Sequence, residues 1–383
     1  MTRTLLCLAA ASIALAQEPV LKEGSVANTE QGAPHGIGIM DVNQDGRPDC
    51  VIDQCRPAGI NIFLNDGKGN IKGNYNAMLG TRMGPNFGMG ANVDGDAFMD
   101  FIQLDNNSTR LTVYKGGKGR LGDGNETTLD VGWPISAYWF DMNGDRKLDL
   151  IVCGWPDPVV DGTPGRVKVM LGPTLKETAK VDIPECGATV AGDVTGDKRP
   201  DVVTSDQKEG VILVLAGDGR GMLNKTPVKS PLDPQDKTLK PKGMAIADLD
   251  GDKILDLAVC CEEKQFVRIM KGDGKGSFTK LADLDLPTKA KFAFTGDFNG
   301  DKNVDLALGA CVVQKGANWN ISIWLGDGKG AYAKNCDFSG LGNFHFYSAA
   351  VGDMDLDKKD DLAVCVINED EGSGSVRRFL SKR

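Results

Sequence analysis

The chain has 383 residues, 49 of them glycine, with aromatic residues at 6% and charged residues at 25%. That balance excludes a helix-rich or low-complexity chain and favours many short strands joined by turns. The formal net charge of −9 argues against a nucleic-acid partner, and no apolar run is long enough to cross a bilayer as a helix, so no membrane insertion is expected.

In chain order, Arg3 precedes an apolar run from Leu5 to Leu15, and Ala14-Leu15-Ala16 supplies the small-x-small pattern of a signal-peptidase site. Residues 1–16 are therefore expected to be a cleaved signal peptide, with residues 17–383 forming one secreted or periplasmic domain. Cys7 is no lipid-anchoring site, because Leu5 and Leu6 precede it where a lipobox has a small residue.

The rest of the chain is organised by one recurring stretch, best seen as DLDGDKILDLAV from Asp248 to Val259. Oxygen-bearing side chains stand at its first, third, fifth and ninth places, and an apolar β-prone run follows. A tight loop that turns alternate oxygens inward suits calcium, which takes six to eight oxygen ligands. The copies, in order, are Asp41, Asn43, Asp45, Asp49; Asn92, Asp94, Asp96, Asp100; Asp141, Asn143, Asp145, Asp149; and Asp193, Thr195, Asp197, Asp201. Asp248, Asp250, Asp252, Asp256; Asp297, Asn299, Asp301, Asp305; and Asp353, Asp355, Asp357, Asp361 complete the seven, at intervals of 49 to 56 residues. An EF-hand is excluded for these loops, since it needs a glutamate at the twelfth place, where Val152, Val259 and Val364 stand, and a helix on either side. Most of the acidity therefore lies in the loops. Empty loops repel themselves, so metal-free protein is expected to be less stable than calcium-loaded protein.

Each repeat reads as four strands. An apolar stretch leads into the loop (Gly243 to Asp248), a second strand leaves it, a third follows (Phe266 to Gly272), and a hairpin turns into a fourth (Ser277 to Leu286). The hairpin recurs at Asn65–Gly69, Gly116–Arg120, Gly217–Gly221, Gly272–Gly276 and Gly326–Gly330, with glycines where tight turns need positive φ. Four strands at this period make a propeller blade, so the expected fold is all-β, a seven-bladed β-propeller. The last repeat stops after a third strand, Val376–Leu380. Residues between about Pro19 and Ala33 have strand material to spare, and are expected to complete that last blade and close the ring.

The loop pattern, its trailing GDGxG hairpins and the fragment Phe87 to Gly90 (FGMG) resemble the FG-GAP or VCBS repeat family, which includes the integrin α-chain propeller, fungal lectins and exported bacterial proteins. The resemblance covers nearly all of residues 34–383. It implies that the first, third, fifth and ninth loop residues are calcium ligands. Thr195, Asn92, Leu356 and Lys358 depart from the pattern, which implies weaker sites in the second, fourth and seventh loops.

Seven equivalent loops point to calcium as framework, so activity is sought on the opposite face, where the connections are unequal. Trp133, Trp155, Trp319 and His345 lie in such segments and are candidate ligand-binding residues, towards a carbohydrate or an extracellular protein. Trp139, Phe346 and Tyr347 read as packing between blades. Lys240, Lys242, Lys289 and Lys291 read as solvated charges where the chain enters blades five and six. No catalytic residue is identified, since only His35 and His345 are present and no nucleophile elbow, zinc-binding helix or phosphate-cradling loop occurs. The competing reading is a polysaccharide lyase using lysine beside calcium. Cys153, Cys260 and Cys365 each lie four residues after a ninth-place aspartate and read as buried thiols, whereas Cys186 and the other cysteines leave disulfide pairing open.

Overall fold

The computed structural model describes residues 18–29, 33–55, 59–77, 85–105, 109–117, 120–121, 126–156, 162–262, 264–310, 319–340, 344–368 and 373–382. They form seven antiparallel sheets of four strand positions each, the blades of a seven-bladed β-propeller, plus one two-stranded ribbon. In blade three the order is Pro134–Phe140, Asp149–Gly154, Gly165–Leu171, Lys176–Ile183, each strand pairing with the next. Inner strands of successive blades touch all the way round, and that of blade seven, Phe344–Gly352, touches that of blade one, Ala33–Met40.

Blades stack face to face, so the middle strands have no solvent side. Every residue of Asp149–Gly154 and Asp201–Asp206 is buried. This is why the second strands read as continuous apolar runs rather than alternating ones. Successive side chains serve opposite neighbours: Leu150 and Val152 join a cluster with blade two, while Ile151 and Cys153 join one with blade four. Among the described residues the apolar core divides into seven clusters, one at each interface between blades.

The ring closes as the sequence implied. Leu21–Glu23 pairs with Phe379–Ser381 and Ala27–Thr29 with Gly374–Val376, so the N-terminal segment supplies the fourth strand of blade seven. Leu21 is 1% exposed within the cluster containing Phe379, and the buried Arg378 donates from Nε and Nη2 to the Ser25 carbonyl.

The cysteine reading needs one correction. Cys260 and Cys365 are buried free thiols, but Cys153 is bonded to Cys186, which joins the middle strand of blade three to the inner strand of blade four. The place of Cys186 is taken by Ala290 opposite Cys260 and by Pro34 opposite Cys365, so only one of the three equivalent thiols meets a partner.

Candidate functional site

The two faces of the ring carry different chemistry. Each inner strand runs into an aspartate loop and each third strand into a hairpin, which places both on one face. Connections between blades and between second and third strands occupy the other.

On the loop face, all seven ninth-place aspartates are buried. Each accepts at Oδ2 from the backbone N–H of the second loop residue, at 2.8–3.1 Å (Val42, Val93, Met142, Val194, Leu249, Phe298, Met354). Each accepts at Oδ1 from an N–H at the end of the third strand, at 2.7–3.0 Å (Asn65, Gly116, Gly172, Gly217, Gly272, Gly326, Ser381). These carboxylates thus fasten loop to blade through the backbone. Burial pushes Asp49, Asp256, Asp305 and Asp361 up to about 6, against the lowering effect of those N–H donors.

The first-place aspartates hold the turn itself. Asp248 accepts from Gly251 N–H at 2.7 Å and Lys253 N–H at 2.9 Å, and Asp141 accepts likewise from Gly144 and Arg146. In every loop but the second, where only Gly95 is so, the fourth and sixth residues are left-handed, as in Gly251 (φ 78°) and Lys253 (φ 70°). Loop seven keeps this path with Leu356 (φ 61°) and Lys358 (φ 73°), at about 1 kcal/mol each for the Cβ clash.

Oxygen atoms of Asp248, Asp250 and Asp252 lie within 4.8 Å of one another, as do those of Asp353, Asp355 and Asp361. Such hard-oxygen triads fit a calcium ion. In loops one, three and six the third-place asparagine donates instead to the fifth-place carboxylate, at 3.0–3.2 Å. In loop five the Lys271 ammonium bonds to Asp250 and to Asp252 Oδ2, which raises the lysine's proton affinity. In loop two Lys115 lies 3.5 Å from Asp94.

The other face opens into a cavity of about 670 Å³ along the ring axis, lined by the inner strands of all seven blades. Trp133 and Trp155 meet at its mouth, where Trp155 N–H donates to the Trp133 carbonyl at 2.8 Å. Trp155 is 43% exposed, and Lys242 Nζ lies 5.0 Å from its ring centroid, in cation–π range. Trp319 begins a third strand of blade six and His345 lies in the inner strand of blade seven, but their side chains fall outside the described residues, as do those of Phe346 and Tyr347. Trp139 packs between blades two and three.

Two lysines correct the sequence reading. Lys240 and Lys289 are exposed, but Lys242 and Lys291 line the cavity mouth. The reason is a β-bulge six residues before the loop. In blade five the register shifts between Pro241 and Gly243, leaving Lys242 as the extra residue, and in blade six Lys291 donates its N–H to Gly309, which already faces Phe292. Bulges re-aim side chains, here towards the axis. Gln207, which the sequence reading missed, also lines the mouth and is the counterpart in blade four of Trp155 in blade three, six residues after the ninth aspartate.

Residues 193–259 and 248–308 match the FG-GAP-like repeat family. The repeats of blades four to six are thus FG-GAP-like. No curated protein matches the chain by sequence. Among solved structures, this propeller is similar to an Agrocybe aegerita structure described by its specific recognition of non-reducing terminal N-acetylglucosamine. The two are 16% identical with a TM-score of 0.51, over 81% of this chain and 80% of that one. It is similar also to BBS1N in complex with ARL6DN, at 11% identity and a TM-score of 0.61 over 96% and 98% of the two chains. A mercury-soaked form of the same complex gives 10% and 0.58. At these identities the likeness is one of fold.

Proposed function

We propose that the protein is an exported recognition propeller, stabilised by calcium in its aspartate loops, that binds a carbohydrate or a protein partner on the face opposite those loops. The observation that carries this is the half-exposed Trp155 at the mouth of the axial cavity, with Lys242 over its ring and Trp133 beside it. An exposed indole offers an apolar face to a sugar ring or to an apolar side chain, while the neighbouring ammonium offers a donor. Export is supported by the leader pattern of residues 1–16. Carbohydrate and protein as partner classes are supported by the similar propellers, one recognising N-acetylglucosamine and one complexed with ARL6DN. The lysines that suggested a lyase, Lys242 and Lys291, stand on the face away from the loops where calcium would sit.

A glycan array with mature protein, in calcium and in chelator, is the test. Calcium-dependent binding to a defined sugar, weakened by Trp155→Ala, supports the carbohydrate arm. A blank array together with no saturable binding to the producing cell's surface refutes the recognition reading.

A further inference from the structure

The mouth of the axial cavity has a chemical bias. Among the described residues no aspartate or glutamate lines it, and the charged groups there are the ammonium groups of Lys242 and Lys291. Lys291 has no ion pair among the described residues. Two further donors are buried there and unsatisfied. Gln207 is 6% exposed and its Nε2 has no hydrogen-bond partner, nor has Trp133 Nε1. A buried N–H left without an acceptor costs about 1–3 kcal/mol. An acceptor supplied from outside removes that cost.

Gly187 makes room for this. It stands six residues before its loop, in the same ring of places as Lys242 and Lys291. A Cβ on Gly187 would meet Ser205 Oγ at 2.2 Å and Gln207 Nε2 at 3.0 Å. With glycine there, the Gln207 amide is left uncrowded at the cavity wall. Below the mouth the wall turns apolar, with Met89, Val190, Met244, Phe292 and Val351. The volume falls within the range of roughly 300–1,000 Å³ typical of small-molecule sites.

We propose that this cavity binds a small organic carboxylate with an apolar body, the carboxylate among Lys242, Lys291 and Gln207 and the body down the channel. The described lining presents donors, the Lys291 ammonium and the Gln207 amide among them, and these select an acceptor-only, anionic head. The apolar wall selects the remainder of the molecule, and partial exclusion of water strengthens the lysine–carboxylate attraction. This goes beyond partner recognition at the rim, for it concerns the channel interior, and glycan binding would survive its failure.

Calorimetry on the full-length mature protein, with decanoate, decylamine and glucuronate as probes, tests it. Decanoate is expected to bind at one equivalent, decylamine and glucuronate not, and Lys291→Met or Gln207→Leu to weaken decanoate binding at least tenfold while far-ultraviolet circular dichroism stays unchanged. Equal binding of decanoate and decylamine would show an apolar channel without a carboxylate site. Preference for glucuronate, or no binding of decanoate to folded wild-type protein, overturns the proposal equally. The wild-type comparison of the three probes stands even if a variant misfolds.

Discussion

Asp53 is the clearest point at which burial and charge conflict. It lies in the second strand of blade one with no exposed surface. Its Oδ1 accepts from the Gly36 backbone N–H, while Oδ2 is buried without a hydrogen-bond partner. Burial pushes its pKa from 3.8 up to about 7, against the lowering effect of the Gly36 and His35 N–H groups. The native state therefore holds a proton that the unfolded chain releases, and stability falls as pH rises from about 4 to about 7. The shift corresponds to roughly 4 kcal/mol above pH 7. Asp53→Asn keeps an acceptor for Gly36 and cannot ionise, but its amide leaves two unpartnered N–H groups where the protonated carboxyl leaves one O–H, at about 1–3 kcal/mol. The variant should melt below wild type at pH 4.5 and above it at pH 8.5, the difference changing sign between. Thermal melts of both proteins across that range in excess calcium, so that the loop carboxylates cancel, read this directly. A difference in melting temperature that is the same at every pH would show that Asp53 does not titrate in this window.

Three further outcomes follow from other parts of the ring. Lys271→Met frees the carboxylates of Asp250 and Asp252, and calcium titration by calorimetry should show tighter binding at one site; unchanged affinities would mean that Lys271 does not compete there. Breaking Cys153–Cys186 by paired serine substitution reopens a 33-residue separation, and urea unfolding should show a loss of about 3–4 kcal/mol from the restored chain entropy, less than 1 kcal/mol counting against a staple between blades three and four. A chain begun at residue 30 loses Leu21 from the core and the acceptor of Arg378; it should bind a hydrophobic dye and associate through the bared edge of Val376–Ser381, and a monomer with wild-type melting would show that the clasp is dispensable.

The architecture was legible because it is written seven times. A ninth-place aspartate that accepts two backbone N–H groups must recur wherever loop and third strand meet, and it does so at fixed spacing from Asp49 to Asp361. Closure was legible for a related reason: a third strand ending at Ser381 leaves an unpaired edge, and Leu21–Glu23 was the remaining strand material. The disulfide was less so, since Cys153 and Cys186 meet only across two blades. Counting from each loop would have revealed that this interface alone has cysteine in both places. The cavity mouth was hidden by the bulges. Period-two alternation gives Lys242 no reason to face the axis, and one extra residue against Cys260 and Cys261 turns it there.

The division of labour between faces follows from the same geometry. Loop-face positions are bound by the repeat, because replacing a ninth-place aspartate strands two backbone N–H groups in its blade whether or not an ion is present. The residues six before and six after the loops carry no such duty. At the first of these places the chain has His35, Ile135, Gly187, Lys242 and Lys291, and at the second Trp155 and Gln207. Seven blades built on one rule thus leave positions free of that rule, and Ile135, Trp155, Gly187, Gln207, Lys242 and Lys291 among them line one opening. On the proposed function, a uniform scaffold with unequal side chains at a single mouth gains its specificity there. Trp155, Gln207, Lys242 and Lys291 are therefore where substitution should change what is bound while leaving the ring folded.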